Sequence, residues 1–266
     1  MRRAPPRTHP AVRGFDRSAP LYERVRPGYP PAAIRFLGRT LGLRRGRTVV
    51  EVGSGTGKFT RALAPIGAAR VAVEPTAGMR AVFEQAVPDV PLLDGTAESI
   101  PLPDGFADAV VAAQAFHWFR ARPALREFAR VLRPGGGVGL VWNSRDETVG
   151  WSARMSEIVR RYEGNDRRTR EPRWRSAFRE GGSPFGALRK REFTFAQRGP
   201  PEMFVDRLLS VSWVSVQPPS VRRAIAAEFR RVLREDPLTR GRRTIELPYQ
   251  TQVFWARLRN ATSPAT

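Results

Sequence analysis

Residues 48–58 read Thr48-Val49-Val50-Glu51-Val52-Gly53-Ser54-Gly55-Thr56-Gly57-Lys58. The β-branched run at 48–52 has the pattern of a buried strand, and the glycine cluster ends it. Phe59, Ala62, Leu63 and Ile66 follow at helical spacing, so a helix starts near Gly57. Glycines let the chain turn sharply and let a ligand approach the backbone, and the helix start behind them offers free amides. Two details narrow the ligand. A dinucleotide fingerprint, GxGxxG, needs a glycine at position 58, where lysine stands. The Walker pattern fails as well, because Phe59 follows Lys58 and no glycine occupies position 52. Glu51, two residues before the first glycine, would repel a pyrophosphate and attract an ammonium such as that of a methionine moiety.

Further strands are predicted at 70–74, 90–94, 107–113 and 137–143, and helices at 76–86 and around Leu125–Leu132. Alternation of this kind implies right-handed crossovers and a doubly wound parallel sheet covered on both faces. Ligands of such sheets bind beyond the carboxyl ends of the strands, at the switch in strand order, where the loops after Val52, Glu74, Asp94 and Ala113 should converge. Glu74 ends the second strand, and a carboxylate there can accept both ribose hydroxyls of an adenosine. Farther on, residues 150–163 read as helix, 164–187 as a polar loop, 189–197 as strand, 201–216 and 219–235 as helices, and 247–258 as a last strand.

Composition removes several chemistries. With no cysteine, disulfides, cysteine–zinc sites and cysteine nucleophiles are excluded. So is a radical enzyme built on a cysteine-held iron–sulfur cluster. The formal charge is +21, yet residues 47–142 carry 10 basic and 9 acidic side chains, so the excess lies outside the central segment. Only Lys58 and Lys190 are lysines; the near-exclusive arginine, with abundant alanine, glycine and proline, favours solvated charge from a GC-rich genome over an anionic partner. No run reaches the roughly 20 apolar residues that span a bilayer. Residues 1–14 are basic without an apolar stretch behind them and read as a disordered arm rather than a secretory signal, which places the protein in the cytoplasm.

The motifs in order resemble the class I S-adenosylmethionine-dependent methyltransferases. They are most similar to a small-molecule subgroup with a methyltransferase type 11-like domain, which carries Arg-Pro-x-Tyr-Pro early and Phe-His-Trp-Phe later. Here these are Arg26-Pro27-Gly28-Tyr29-Pro30 and Phe116-His117-Trp118-Phe119. Val71-Ala72-Val73-Glu74-Pro75, Asp94-Gly95-Thr96-Ala97-Glu98 and Leu132-Arg133-Pro134-Gly135-Gly136-Gly137 match the remaining motifs, so the likeness is strong over roughly residues 15–145. The resemblance implies an α/β, Rossmann-like, doubly wound and mostly parallel seven-stranded sheet, with helices on both faces and a helical insertion between the last two strands. It implies one domain over 15–266, with a cofactor-binding core at 47–145 and a C-terminal part at 150–258.

For S-adenosyl-L-methionine, the resemblance assigns Glu51 and the backbone of Gly53, Ser54, Gly55, Thr56 and Gly57 to the methionine end. Glu74 takes the ribose, Pro75 lies against adenine, and Thr96 and Ala97 line its amino edge. Gln114 and Ala115 lie under the sulfonium, while Tyr22 and Arg26 close over the carboxylate. The expected partner is a small-molecule oxygen, nitrogen or carboxyl acceptor of the methyl group. No membrane partner is expected. A nucleic-acid substrate is disfavoured, because Gln114-Ala115-Phe116-His117 stands where base-amino methyltransferases carry Asn/Asp-Pro-Pro-Tyr/Phe/Trp. A non-catalytic cofactor-binding protein and a dehydrogenase are the other rivals; the intact loop with both acids disfavours the first, and Lys58 with Glu51 the second. His117 is the candidate general base, its ordinary pKa of about 6.5 suiting neutral pH, against a packing or positioning role among its aromatic neighbours. Residues 199–236 are expected to cover the acceptor pocket, with Phe204, Leu208, Trp213 and Val214 as a possible apolar wall or as plain core.

Overall fold

The computed structural model describes residues 19–163, 173–179 and 181–259. The basic arm at 1–14 and the centre of the expected loop at 164–187 lie outside the described residues. Seven strands form one sheet: β1 (Thr48–Val52), β2 (Ala69–Val73), β3 (Leu92–Leu93), β4 (Ala107–Ala113), β5 (Leu132–Arg145), β6 (Arg189–Gly199) and β7 (Ile245–Arg257). Their order is β3-β2-β1-β4-β5-β7-β6. The first five pair in parallel, and β7 runs antiparallel between β5 and β6. The sheet is therefore the Rossmann-like, doubly wound, mostly parallel one expected, with its order reversing between β1 and β4.

Helices cover both faces, because the strands of a parallel sheet are apolar on both sides. On one face α2 (Pro31–Leu41) and α3 (Lys58–Leu63) bury Leu37, Leu41, Phe59 and Leu63 against Val49, Val111 and Val141. On the other, α5 (Ala121–Val131) buries Leu125 and Phe128 against Val50, Val110 and Leu140. At the β2 edge, α4 (Ala77–Ala86) seats Phe83 on Ala72. A separate apolar cluster joins α6 (Gly150–Glu163), α8 (Pro201–Leu209) and α10 (Pro219–Glu235) around Trp151, Phe204 and Phe229, and takes in Leu247 and Tyr249 of β7. Arg145 at the end of β5 pairs with Tyr249, so this cluster stands over the carboxyl edge of the sheet.

Several boundaries differ from the sequence reading. A helix over 19–25, α1, and the whole of α2 went unread, although Pro31 at the first turn and Gly42 in the left-handed conformation bound α2 in the usual way. The edge strand β3 is only two residues long. Helix α5 passes directly into β5 at Leu132, and the register with β4 slips between Ala107 and Ala109 to absorb the glycines. The expected loop contains a 3₁₀ turn at Arg173–Arg175 and the short α7 (Ser176–Arg179). Trp174 and Phe178 pack there on Phe116, so aromatic burial overrides a polar local sequence.

The amino ends of the sheet are tied by one carboxylate. Asp108 accepts from the Thr48 amide at 2.8 Å, from Arg47 at 2.7 Å and from Arg133 at 2.9 Å, joining the starts of β1, β4 and β5. Burial works against its charge, but these donors win and hold its carboxyl below the ordinary range. Asp108→Ala is expected to destabilise the protein by about 2–4 kcal/mol in urea unfolding. In the wild type this contribution is present above pH about 4, the unfolded value, and is lost as pH falls through the lower folded value.

Candidate active site

The loop after β1 turns back on the end of β2. The amides of Gly53 and Ser54 both donate to the Val73 carbonyl, at 2.8 and 3.2 Å. Gly53 has a φ of +70°, and a Cβ there would lie 2.7 Å from that of Ala115. The close approach of the β1 and β4 loops therefore requires glycine. Gly55 has a φ of +57°, but nothing lies within 4 Å of where its Cβ would be. Its conformation leaves space for a ligand rather than for a neighbour.

Two carboxylates are held out of water beside this loop. Glu74, directly after β2, accepts from the Gly55 amide at 2.9 Å and the Thr76 amide at 3.0 Å. Burial still raises its pKa against those bonds. Glu51 on β1 is 2% exposed and accepts from the Thr60 hydroxyl. Burial pushes it up to about 8; the Thr60 bond opposes the shift and the nearby Glu74 adds to it. The Ser54 and Thr56 hydroxyls are buried without a partner among the described residues. Two acids, open space over Gly55 and unmet hydroxyls fit a nucleoside with a cationic end, as S-adenosylmethionine has. Among the described residues no cluster of acids or histidine could hold a metal.

The rest of the predicted site falls around the same edge. Pro75 is exposed beside Glu74, and Ala97 belongs to the apolar cluster that also contains Val52, Val73 and Ala115. Thr96 is bridged to Ser99 by two backbone bonds of 3.2 Å, so the segment is a tight turn. Gln114 is the one non-glycine residue at positive φ, +56°, among the described residues; its side chain donates to the Asn143 carbonyl at 3.0 Å. That strain, in the loop after β4, has the character of a functional position.

Beyond Gln114 opens a cavity of about 360 Å³. Tyr22, Arg26, Gln114 and His117 line it, so the structure brings together residues nearly a hundred positions apart. Arg26 lies over the Tyr22 ring at 4.6 Å and donates to the Ser210 carbonyl at 2.9 Å. Burial, and then the charge of Arg207, lower its pKa to about 9. His117 Nδ1 accepts from the Trp142 indole at 3.3 Å, so the neutral ring carries its proton on Nε2. Of the four residues considered for an apolar wall, Trp213 lines the cavity, whereas Phe204, Leu208 and Val214 are fully buried in the helical cluster. Sequence reasoning missed Arg145, Trp174 and Arg207, which also line the cavity. No periodicity singles out one arginine among so many.

If the Glu51 carboxylate receives an ammonium, binding must expel its proton below pH 8. The affinity for S-adenosylmethionine is then expected to fall toward tenfold per pH unit below about 8, and Glu51→Gln should weaken binding and flatten the slope, as titration calorimetry can check. Because an acid with a raised folded pKa binds its proton more tightly when folded, the protein without ligand should lose stability as pH rises from about 4.5 to about 8; Glu51→Gln should reduce this loss, leaving the part that Glu74 contributes.

The family described as a methyltransferase domain matches residues 50–139. An uncharacterized methyltransferase of Mycobacterium tuberculosis is 38% identical over 237 residues, which span 89% of this chain and 92% of the relative. An uncharacterized methyltransferase-like protein of Schizosaccharomyces pombe is 34% identical over 234 residues, 88% of this chain and 91% of its own. Among solved structures, one from Anaeromyxobacter dehalogenans, provisionally named a type II methyltransferase, has a TM-score of 0.59 and 27% identity over 88% of this chain and 97% of that one. The likeness thus extends through the C-terminal part as well as the glycine loop, and the chain belongs to the class I S-adenosylmethionine-dependent methyltransferases.

Proposed function

We propose that this methyltransferase acts on a small molecule, at an oxygen, nitrogen or carboxyl group, by in-line transfer. The observation that carries the reading is the cavity of about 360 Å³ beside Gln114, a size within the usual range of small-molecule sites. S-adenosylmethionine supplies a methyl group on a positively charged sulfur, open to displacement by the acceptor. In this reading Glu51 and the Gly53–Gly57 backbone hold the amino-acid end, and Glu74 holds the ribose. Pro75, Thr96 and Ala97 surround adenine, and Tyr22 and Arg26 meet the carboxylate. Gln114 and Ala115 sit below the reacting centre.

The chain's remaining task is to align the acceptor and exclude water. Helices α6 and α8, with the short α9 (Ser212–Ser215), supply Ser156, Val159, Arg207 and Trp213 to one side of the cavity. Arg24–Asp206 and Gln197 to the Val25 carbonyl, at 2.8 and 2.9 Å, dock α1 against the strand and helix that lead to that side. His117, with Nδ1 engaged by Trp142, is better arranged to donate from Nε2 than to take a proton, so we assign it to positioning.

Two outcomes check this reading. Label from methyl-tritiated S-adenosylmethionine should pass to the small-molecule pool and not to RNA, and Trp213→Ala should raise the acceptor Michaelis constant by about tenfold while the fold persists; label in RNA would overturn it. His117→Asn is expected to lower turnover less than about tenfold, whereas loss of a general base costs about 100- to 10,000-fold.

A further inference from the structure

Arg207 lies on α8, well outside the glycine loop, yet its side chain reaches the cavity wall. It is only 5% exposed, and neither Nε nor Nη1 has a hydrogen-bond partner among the described residues. Arg26 is close enough to Arg207 for the two charges to disfavour each other, and its own Nε is also buried without a partner. Its Nη2 donates to a neutral carbonyl, that of Ser210. No ion pair links either arginine to a described acid. Among the described residues the one acid on the cavity wall, Glu147, accepts from Arg160 at 3.0 Å, and, against the cost of burial, the charge of Arg145 also helps to hold its carboxyl below the ordinary range. Arg145 adds a third guanidinium, donating to the Ser156 hydroxyl at 3.0 Å.

An unpaired buried charge is costly, and two adjacent like charges cost more. A bound anion offsets that cost, and the guanidinium fork matches the paired oxygens of a carboxylate or phosphate. The cofactor brings one carboxylate, which Arg26 is placed to meet from the Arg-Pro-Gly-Tyr-Pro segment; that leaves Arg207. Four tryptophans supply the flat, apolar part of the remaining wall, beside polar residues such as Asn143, Ser144 and Ser156. Trp142 stacks on Trp174 at 4.7 Å and 14°, and Trp118 faces Trp213 at 6.4 Å.

We propose that the methyl acceptor is a small oxyanion with an apolar body, and that Arg207 binds its charged group. The inference rests on the small-molecule reading above. It adds the charge of the substrate and the residue that reads it.

The test uses the full chain. Calorimetry with S-adenosylhomocysteine first establishes the cofactor site; no binding there would sink the cofactor reading and this proposal together. Tritium transfer is then measured on a panel of aromatic and aliphatic carboxylic acids, each beside its primary amide, and of phosphate monoesters beside their alcohols. Turnover should be confined to the anions, and whether acids or phosphate esters react separates the two sources of charge. Neutral members accepted as well as their anions, or no anion accepted, would overturn the proposal while leaving a valid cofactor site in place. For an accepted anion, Arg207→Met should raise the Michaelis constant by about 30-fold or more, on the scale of removing one partner of a buried charge pair. The affinity for S-adenosylhomocysteine should change less than about threefold. Arg207→Lys keeps the charge but loses the fork, and should recover part of the loss. Equal weakening of S-adenosylhomocysteine and acceptor by Arg207→Met would assign the guanidinium to the cofactor and refute the proposal. Should Arg207→Met fold poorly, the same comparison is made with Arg207→Lys, where an unchanged Michaelis constant for the anion against a tenfold one for its S-adenosylhomocysteine affinity would count against it.

Discussion

Parallel strands place all their carboxyl ends on one edge, and the reversal of order between β1 and β4 opens a crevice there that no strand pairing can close. The whole site depends on this constraint. Beside the crevice the loop after β1 folds onto Val73 and against Ala115, and the glycine at 53 is what allows both contacts. Glu74 then fastens the loop by accepting the Gly55 amide. The carboxylate assigned to the ribose thus also holds the loop in shape. If Glu74 takes the ribose as proposed, binding would exchange this partner for another rather than build the loop anew.

The electrostatics of the site divide into two regions. Near the glycine loop lie two buried acids, and the raised pKa of Glu51 records how poorly its carboxylate is solvated. Across the cavity lie the arginines Arg26 and Arg207, and the lowered pKa of Arg26 records the same condition with the opposite sign. Charges buried in this way are costly, and the apolar clusters packed around them offset the cost. On the proposed reading this division would also orient the ligands, with the amino-acid nucleoside on the acidic side and the anion on the basic side.

The helical segment between the last two strands serves two ends with different residues of the same helix. Phe204 and Leu208 of α8 are buried with Trp151 and Phe229, while Arg207 between them lines the cavity. Arg207 stands one position before Leu208, about 100° round the helix and at the edge of the buried face, so one short helix both packs and presents a charge. The charge bias of the chain therefore has at least one arginine whose setting is not that of a solvated surface residue.

The alternation of strands and helices, the glycine loop and the acids at two strand ends were legible in the sequence, because they depend on local periodicity and on residue types that few other structures require. The family, the sheet and its covered faces followed from them. Helix α2 was legible too, from Pro31 and Gly42, but was not read. The length of β3, the slip in β5 and the short helix bearing Phe178 were set by packing between distant segments, which local propensity does not encode. The tautomer of His117 depends on Trp142, 25 residues away. The choice of Arg207 among the many arginines was made by the tertiary structure alone: a guanidinium differs from its neighbours in sequence only when the fold removes it from water and leaves it without a carboxylate.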